Sequence, residues 1–494
     1  MTSNQGMTRL LKVVNEAPRE GEHVYLVGGC VRDLLLDRPI KDLDLATDGN
    51  PRRLAERIAR RTGGAPFVMH PEMRAYRVVP RQNGGGVWID VLPLVGSLAE
   101  DLLRRDFTIN AMALPLPFSP DRLLESLIDP AGGREDLRAR RIRHVRPDIF
   151  ETDPVRLLRA VRIGAAVGFT LAPETEALMP AAAPLLAQAA AERVRDELFA
   201  LLTLPEPAAS VRRLDVLGLL SPILPELDAL KGVEQNPNHH LDAWEHTLEV
   251  LRQGDLILGG EELPEDVRTP AGALLEEIAC PPRSRRALFR LTALLHDVAK
   301  PQTRTLTPEG VISFRGHDEE GAVVARTICQ RLRLSTREAK SVALAVRAHL
   351  WPGFLSHEVP PSDRSRYRFF RDTGNAAVET LLLSLADRLA ARGPWAAEAQ
   401  IARHRRFVVE MLRLYFTGSR VAHPVLPVDG RGLMRALGLK QGPELGAILD
   451  ALREAVAVGE VATRDEAVAL ARQHLAQHRA AAAPPSAGEA PGSP

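Results

Sequence analysis

The sequence is poor in cysteine and in aromatic residues. Its 494 residues include only 3 cysteines, at positions 30, 280 and 329, and no Cys-x-x-Cys pair. So few thiols argue against a disulfide framework or a cysteine-based zinc site and fit a reducing compartment, so we expect a cytoplasmic protein without disulfide partners. Aromatic residues make up 4% of the chain. The abundance of Ala, Leu and Arg favours a largely helical protein.

A large net charge and long apolar runs are also missing. Lys and Arg total 64 and Asp and Glu total 63, which gives a formal net charge of +1. The overall charge therefore does not indicate nucleic-acid binding, although local clusters of charge can. The N-terminus lacks a basic-then-apolar export signal, and no run of about 18 apolar residues occurs. We expect neither export nor a membrane span.

Two aspartates lie two residues apart in the strand-like run Asp42-Leu43-Asp44-Leu45. Successive side chains of a strand point to opposite faces, so both carboxylates project from one face and both leucines from the other. Mg²⁺ prefers one or two carboxylates together with the phosphates of a substrate. Asp90 lies between apolar neighbours in a later strand-like run and is a candidate third carboxylate, with a capping or surface role as the alternative.

A pair of glycines, Gly28 and Gly29, ends the apolar run that precedes these aspartates, and Arg32 follows in a helix-like segment. Glycine lets backbone N–H groups approach a triphosphate, and a helix that starts there adds the positive end of its dipole. An isolated Asp-x-Asp is usually a solvated strand edge. In this order, however, strand, Gly-Gly, helix and Asp-x-Asp strand predict a site for a nucleotide and a metal ion.

The run L-V-G-G-C-V-R-D followed by K-D-L-D resembles the DNA polymerase β-like nucleotidyltransferases. More narrowly, it is similar to the class II tRNA nucleotidyltransferase (CCA-adding enzyme) and bacterial poly(A) polymerase family. The resemblance implies that Gly28, Gly29 and Arg32 contact phosphates. It also implies that Asp42 and Asp44, with help from Asp90, hold Mg²⁺ for catalysis.

The run L-L-R-R-D-F-T-I-N-A-M-A, from Leu102 to Ala113, predicts a buried helix. Arg105, Asp106 and Asn110 in such a helix must be paired or used, because burial of unpaired charge is unfavourable. A salt-bridged core helix is one interpretation. The run is also similar to the family's R-R-D-x-T-x-N-A motif, which implies that Arg105 and Asp106 read the ribose of an incoming ribonucleotide.

Three arginines, Arg156, Arg159 and Arg162, recur every three residues and so lie along one stripe of a predicted helix. A planar guanidinium can hydrogen-bond a base edge or a phosphate, although a solvated face is the alternative. The segment resembles the family's E-D-x-x-R-x-x-R-A-x-R-F motif, with Thr152 where most relatives have Glu. The resemblance implies that Asp153 and Arg156 hydrogen-bond the incoming C or A, and that Arg159 and Arg162 support them or bind phosphate.

A later run, E-R-V-R-D-E, resembles the E-R-x-x-x-E helix of the same family. We interpret Glu192, Arg193 and Glu197 as structural residues. Their helical spacing predicts pairing along one helix.

A second set of polar residues follows in helix-rich sequence. An adjacent His-Asp pair inside an apolar helix is unfavourable without a metal or a partner, whereas a lone His is more often an ordinary core or surface residue. The set matches the H…HD…H…H…D pattern of HD-domain phosphohydrolases, which implies one or two divalent ions (Mn²⁺, Fe²⁺, Co²⁺, Ni²⁺ or Mg²⁺) and hydrolysis of a phosphomonoester or a 2′,3′-cyclic phosphate. A role in tRNA binding without turnover is the alternative. The six residues are His246, His296, Asp297, His317, His349 and Asp387.

These motifs predict a multidomain protein. We expect an α/β polymerase β-like nucleotidyltransferase head at 1–115, an all-α neck with the base-reading motif at 116–225 and an HD domain at 226–395. A helical region that contacts tRNA follows at 396–480, and an Ala- and Pro-rich disordered tail at 481–494. Within the HD domain, the acid- and proline-rich residues 259–286 predict a loop insertion.

The resemblance implies template-independent addition of C, C and A to tRNA 3′ ends from CTP and ATP. A poly(A) polymerase, or an enzyme that adds only CC or only A, shares every catalytic motif and stays open. An HD phosphohydrolase whose head only binds RNA, or a non-catalytic RNA-binding protein, is an alternative from a different class.

Overall fold

The computed structural model describes residues 2–70, 72–81, 87–260, 262–358 and 360–482. The chain divides into two units, Met1–Pro205 with Ala209–Ile223, and Glu206–Ala208 with Leu224–Pro494. Of the predicted disordered tail, residues 481 and 482 belong to a helix, and 483–494 lie outside the described residues. The domain limits given above stay predictions.

The first unit contains a six-stranded sheet in the order β3-β4-β5-β2-β1-β6. Strands β2 and β5 pair in parallel, and the other neighbours pair antiparallel. The predicted strand-like runs that contain Asp42 and Asp90 are both strands of this sheet. The strands are β1 (Val24–Val27), β2 (Asp42–Thr47), β3 (Ala65–His70), β4 (Ala75–Val79), β5 (Trp88–Pro93) and β6 (Ala113–Pro115).

One face of the sheet is apolar and the other carries acids. Leu43 and Leu45 of β2 and Ile89 and Val91 of β5 are fully buried, on the side where the amphipathic helix α3 (Pro51–Thr62) packs. The two-residue period of a strand then places Asp42 and Asp44 on the opposite side, as predicted.

The predicted helix from Leu102 to Ala113 is wrong. A short helix ends at Leu103, and a 3₁₀ turn spans Thr108–Asn110. Between them Phe107 is extended and pairs with His144, while Thr108 N–H donates to the Arg143 carbonyl at 2.9 Å. Pairing with a distant segment therefore overrides the helical pattern.

Helices complete the first unit, together with a small parallel pair of strands, β7 (Arg141–Ile142) and β8 (Thr170–Leu171). The helices besides α3 are α1 (Thr2–Asn15), α2 (Gly29–Leu35), α4 (Leu98–Leu103), α5 (Leu123–Ser126), α6 (Gly133–Ala139), α7 (Ile149–Thr152), α8 (Arg156–Val167), α9 (Pro173–Ala182), α10 (Ala191–Leu202) and α11 (Pro207–Val216).

The second unit is almost entirely helical. Its centre is formed by helices α13, α15, α17, α18 and α21, which pack on one another. The helices are α12 (Pro225–Asp228), α13 (Ala243–Gly259), α14 (Glu265–Glu276), α15 (Arg285–Leu295), α16 (Lys300–Thr303), α17 (His317–Arg331), α18 (Thr336–Ala348), α19 (Trp351–Leu355), α20 (Asp363–Thr373), α21 (Ala377–Ala390), α22 (Glu398–Phe416), α23 (Gly430–Leu437), α24 (Pro443–Val458) and α25 (Arg464–Ala482). Two strand pairs, β9 (Ile278–Cys280) with β10 (Arg283–Ser284) and β11 (Thr305–Leu306) with β12 (Ile312–Ser313), lie between the helices.

The predicted loop at 259–286 is wrong, because much of it is helix α14. Val267, Ala271 and Leu275 recur every four residues and are buried. Pro264, just before the helix, and the acids of its first turn are residues that suit a helix start. The predicted helical character of 396–480 is confirmed by α22 to α25.

Among the described residues, no helix combines the length and the apolar character needed to cross a bilayer. All three cysteines are free thiols.

Candidate functional sites

Three carboxylates face the same side of the sheet in the first unit. Strands β2 and β5 place Asp44 opposite Asp90, with Asp42 two residues earlier on β2. Burial raises the pKa of Asp44 to about 6; Arg105 opposes this shift, and Asp90 and Asp42 add to it. Burial, and then Asp90, also raise the pKa of Asp42. Neighbouring carboxylates repel one another when both are ionised, and a bound cation would reduce this repulsion.

Gly28 opens the space in front of Asp44. Its φ of 84° lies in the left-handed region that favours glycine. A Cβ at this position would lie 3.0 Å from Nη1 of Arg105 and 3.1 Å from Oδ2 of Asp44. Any larger residue would therefore fill the gap between the strand end and the acid.

Asp90 is engaged by an arginine. Both of its oxygens accept hydrogen bonds from Arg77, Oδ1 from Nε at 2.7 Å and Oδ2 from Nη2 at 2.8 Å. The Arg77 guanidinium also lies over the Trp88 ring, 4.9 Å from its centroid. Asp90 thus shares the acid face while being fixed by Arg77, which suits a supporting role.

Asp106 is the centre of a buried network. Its Oδ1 accepts from Nδ2 of Asn110 at 3.0 Å, and Nε of Arg159 lies 2.7 Å from its Oδ2. Asn110 Oδ1 in turn accepts from Nη1 of Arg32 at 2.8 Å. The expectation that these buried polar groups are paired is confirmed, and the partners come from three separate segments.

Arg32 and Arg105 are held in place by nearby acids. Arg32 donates to both oxygens of Asp33, at 2.9 and 3.0 Å. Arg105 Nη2 donates to Oδ2 of Asp101 at 3.3 Å. Two oriented guanidinium groups thus flank the acid face, an arrangement that suits the binding of an anionic phosphate chain.

The three arginines of α8 face one region, as their spacing predicts. Arg156 Nη2 donates to the Arg104 carbonyl at 3.2 Å, and its Nε lies 3.7 Å from Oδ2 of Asp153. Arg162 Nε donates to Oε2 of Glu197 at 2.5 Å.

The predicted pairing of Arg193 and Glu197 within one helix is wrong. Glu197 binds Arg162 of α8, as above. Arg193 donates from Nη2 to Oδ2 of Asp153 at 2.7 Å. Arg193 and Glu197 of α10 therefore both contact the predicted base-reading segment.

A cavity of about 710 Å³ joins these groups, a size typical of sites for small ligands. It is lined by Asp42 and Asp44 of the acid face, whereas Asp90 is not among the lining residues. Lys41 and Arg104, which were not predicted as site residues, also line it, and they are the first residues of the motifs K-D-L-D and R-R-D. Every predicted nucleotide-binding residue is present: Gly28, Gly29, Arg32, Arg105, Asp106, Asp153, Arg156, Arg159 and Arg162.

The second unit brings all six residues of the predicted metal set together. His246 lies on α13, His296 and Asp297 follow α15, His317 begins α17, His349 ends α18 and Asp387 lies on α21. His246, His296 and Asp297 have ligand atoms within 4.8 Å of one another, as do Asp297, His317 and His349. Nε2 of His246 lies 2.9 Å from Oδ1 of Asp387.

Three of these imidazoles are oriented by backbone carbonyls. Nδ1 of His296, His317 and His349 lies 2.8, 2.7 and 2.6 Å from the carbonyl oxygen three residues earlier. A carbonyl only accepts, so Nδ1 carries a hydrogen, and in the neutral ring Nε2 then keeps its lone pair. These Nε2 atoms are buried without a hydrogen-bond partner. Buried lone pairs that converge on a carboxylate fit a divalent metal ion.

The charges of the cluster also suit a metal. Although burial opposes ionisation, His296 and Lys300 hold the pKa of Asp297 well below its usual range, and Nζ of Lys300 lies 2.6 Å from Oδ2 of Asp297. Burial, with His296 and His317 adding to it, lowers the pKa of His349 to about 4. An ionised carboxylate and a neutral imidazole are the forms that bind metals.

His239, which the sequence motifs do not predict as a ligand, lies beside this cluster. Its ligand atom lies within 4.8 Å of those of His246 and Asp387. Burial, then Lys300 and His246, lower its pKa to about 3. The run N-P-N-H-H is a turn signal with two histidines directly before α13; a search for histidines in loops next to metal-bearing helices would have found it.

Family models match most of the chain. The model described as "Poly A polymerase head domain" matches residues 24–83 and 69–143. The model described as "Probable RNA and SrmB- binding site of polymerase A" matches 168–231. The HD domain model matches 243–392.

Curated relatives match between 66% and 91% of the chain. An A-adding tRNA nucleotidyltransferase of Deinococcus radiodurans is 38% identical over 91% of this chain and 94% of the relative. A CC-adding tRNA nucleotidyltransferase of Thermus thermophilus is 37% identical over 90% and 92%. A multifunctional CCA protein of Xanthomonas oryzae is 36% identical over 66% and 75%.

Solved structures share the fold. A CCA-adding enzyme in apo form I has a TM-score of 0.60 at 21% identity, with 94% of this chain and 93% of that chain covered. The Thermotoga maritima CCA-adding enzyme complexed with tRNA has a TM-score of 0.56 at 21% identity, with 96% and 95% covered.

The raised pKa of Asp44 predicts how metal binding in the first unit depends on pH. Protonation removes a ligand, so the apparent affinity for Mn²⁺ falls about tenfold per pH unit below pH 6 and levels off above it. Electron paramagnetic resonance of free Mn²⁺ measures this in an Asp297→Ala, Asp387→Ala background, which removes a carboxylate from each group of possible metal ligands in the second unit.

Asp48→Asn is the matched control. Asp48 directly follows β2, but it is exposed and pairs with His23. It leaves the pH profile unchanged. An Mn²⁺ affinity that stays constant down to pH 4.5 contradicts the prediction.

Proposed function

The chain belongs to the class II tRNA nucleotidyltransferase and poly(A) polymerase family that carries an HD domain, and from this premise we propose that it adds C, C and A to tRNA 3′ ends. CTP and ATP are the proposed nucleotide substrates. The observation that carries the proposal is the cavity of the first unit, where Asp42 and Asp44, the two arginines beside them, and the Asp153–Arg156 segment line one space.

In this proposal the acid face holds the metal. Asp42 and Asp44 are carboxylate ligands of the kind that Mg²⁺ takes, and their raised pKa values support a cation partner. Two Mg²⁺ ions, when bound, lower the pKa of the RNA 3′-hydroxyl and stabilise the leaving pyrophosphate. Gly28, Gly29 and Arg32 contact the triphosphate, and Arg105 and Asp106 contact the ribose.

The choice of base follows from hydrogen-bond chemistry. A carboxylate accepts and a guanidinium donates. Cytosine and adenine present an amino group at the edge where guanine and uracil present a carbonyl oxygen. Asp153 therefore accepts from the amino group of C or A while Arg156 donates to the neighbouring ring nitrogen. This pairing supports selection of C and A without a nucleic-acid template.

A second candidate is an enzyme that adds only CC or only A. The relatives of Deinococcus and Thermus, at 38% and 37% identity, are named for one step each. The first-unit cavity supports both candidates equally, because its catalytic residues serve either step.

We propose a second activity for the metal cluster of the second unit. The histidine Nε2 atoms of this cluster lack hydrogen-bond partners and lie close to carboxylates, which supports binding of a divalent ion. Imidazole and carboxylate ligands suit Mn²⁺, Fe²⁺, Co²⁺ or Ni²⁺. Such an ion, when bound, supplies a water of lowered pKa for phosphate-ester hydrolysis.

The three free thiols suit a reducing cytoplasm as the place of action.

Incubation of the purified chain with tRNA that lacks its CCA end tests the first proposal. CTP alone gives two added residues, and CTP with ATP gives three. Asp44→Ala lowers incorporation at least about 10³-fold, because it removes a metal ligand, whereas Asp48→Ala retains it. A stop after CC, or one A added only to tRNA ending in CC, selects the second candidate. Long A tails on generic RNA would overturn both.

Hydrolysis of 2′,3′-cyclic AMP in the presence of Mn²⁺ or Ni²⁺ tests the second proposal. His296→Ala abolishes hydrolysis and leaves nucleotide addition intact, since the two sets of residues belong to different units. His240→Ala, at an exposed histidine, retains both activities. A metal-loaded chain that hydrolyses no phosphate ester contradicts the hydrolytic role.

A further inference from the structure

His239 lies outside the six-residue set, yet it faces two of its members. Its ring lies edge-on to that of His246, with 4.7 Å between centroids. Asp387 stands next to both, with Oδ1 2.9 Å from Nε2 of His246. Three possible ligand atoms from a loop, α13 and α21 therefore converge.

The His239 ring is oriented like those of the predicted ligands. Its Nδ1 lies 3.2 Å from Oδ1 of Asn236. An amide oxygen only accepts, so Nδ1 carries the hydrogen and Nε2 keeps a lone pair. Backbone carbonyls impose the same tautomer on His296, His317 and His349.

The loop that carries His239 is fixed to the segment that follows α21. Gly393 N–H donates to the Asn238 carbonyl at 2.8 Å, and Trp395 N–H to the Pro237 carbonyl at 3.0 Å. A Cβ at Gly393 would lie 2.3 Å from the Pro237 oxygen, so only glycine allows this approach. The loop is thereby anchored just beyond the helix that carries Asp387, which preorganises the histidine.

We propose that His239 is a further metal ligand, which binds one divalent ion together with His246 and Asp387. A second ion is bound by Asp297, His317 and His349, and His296 lies between the two sets, with its ligand atom within 4.8 Å of those of His246 and Asp297. The proposal rests on the proposed metal centre of the second unit and adds a ligand to it. Two imidazoles and a carboxylate suit Mn²⁺, Fe²⁺, Co²⁺ or Ni²⁺.

Mn²⁺ titration by calorimetry, without nucleotide or RNA, tests this in an Asp42→Ala, Asp44→Ala background that removes the acid face of the first unit. The background chain binds two ions. His239→Ala and His239→Gln each weaken one of them at least about tenfold and leave the other unchanged. His240→Ala is the matched control and binds two ions as before. Thermal unfolding verifies that each variant is folded.

Two ions of unchanged affinity in both His239 variants, or a single ion in the background chain, overturn the role of His239. No ion bound by the background chain overturns the metal centre itself. The two failures are therefore distinguishable.

A second, independent observation concerns Arg193 of α10 in the first unit. Oδ2 of Asp153 accepts from Arg193 at 2.7 Å, whereas Nε of Arg156 lies 3.7 Å from the same oxygen. Oδ1 accepts the backbone N–H of Val155 at 3.3 Å. Arg193 therefore makes the shortest contact that orients this carboxylate, through a charge-assisted bond.

We infer that Arg193 is a positioning residue for base selection. It rests on the proposed reading of C and A by Asp153 and Arg156. By holding Oδ2, Arg193 aims the carboxylate so that it meets an amino group and repels a carbonyl oxygen. Glu197 fixes Arg162 on the same helix face, so α10 supports both ends of the base-reading segment.

This role is measured as the ratio of kcat/KM for CTP to kcat/KM for UTP, on tRNA that lacks its CCA end. If the chain adds only A, the corresponding ratio of ATP to GTP is measured on tRNA that ends in CC. Arg193→Ala lowers the ratio about 10- to 100-fold, as expected for a misplaced contact group, and Arg193→Lys restores part of it. Glu192→Ala is the control on the same helix, because Glu192 is exposed, and it keeps the ratio.

An unchanged ratio in Arg193→Ala, even with a lower overall rate, overturns the positioning role, because a purely structural loss slows all nucleotides alike. Absence of any preference for C or A in the unaltered chain overturns the base-reading proposal instead.

Discussion

The site in the first unit depends on carboxylates that lie close together and are partly removed from water. Asp42, Asp44 and Asp90 share one face of a sheet whose other face buries Leu43, Leu45, Ile89 and Val91. Burial makes the charged form of Asp44 unfavourable, so below its raised pKa this group favours the folded chain, and that contribution is lost as the pH rises through about 6. Arg77 and Arg105 offset part of the repulsion. The acid face thus carries unfavourable negative charge, which supports the proposal that it binds a cation.

The second unit applies the same principle with nitrogen ligands. Backbone carbonyls occupy Nδ1 of three histidines, so their Nε2 lone pairs face Asp297 without hydrogen-bond partners. A helical core holds these rings at fixed positions; Gly254, for example, lets α13 approach Phe289 of α15 to a distance at which a Cβ would lie 2.9 Å from the ring. The second unit therefore leaves buried ligand atoms unpaired, which is unfavourable for folding and favourable for binding an ion.

The sequence was most informative where chemistry follows a local period. The alternation in Asp42-Leu43-Asp44-Leu45 determined which side chains share a face, and the three-residue spacing in α8 determined its arginine stripe. It was least informative at irregular backbone. The segment around Phe107 has the apolar spacing of a helix but is extended, because it pairs with residues near His144. The helix α14 was taken for a loop because its prolines and acids suit both a loop and a helix start.

By itself, the sequence determined which faces of the periodic strands and helices carry the motifs, the order of the motifs and most of the residues that line the two sites. Strand and helix periods and the family resemblance are properties of short segments. Only the tertiary structure decided the partners. Arg193 with Asp153, Arg159 with Asp106, Arg77 with Asp90 and His239 with Asp387 join residues that lie between 13 and 148 positions apart. An ion pair or a shared ligand site depends on distances of a few ångströms between such segments, and those distances are set by packing of the whole unit.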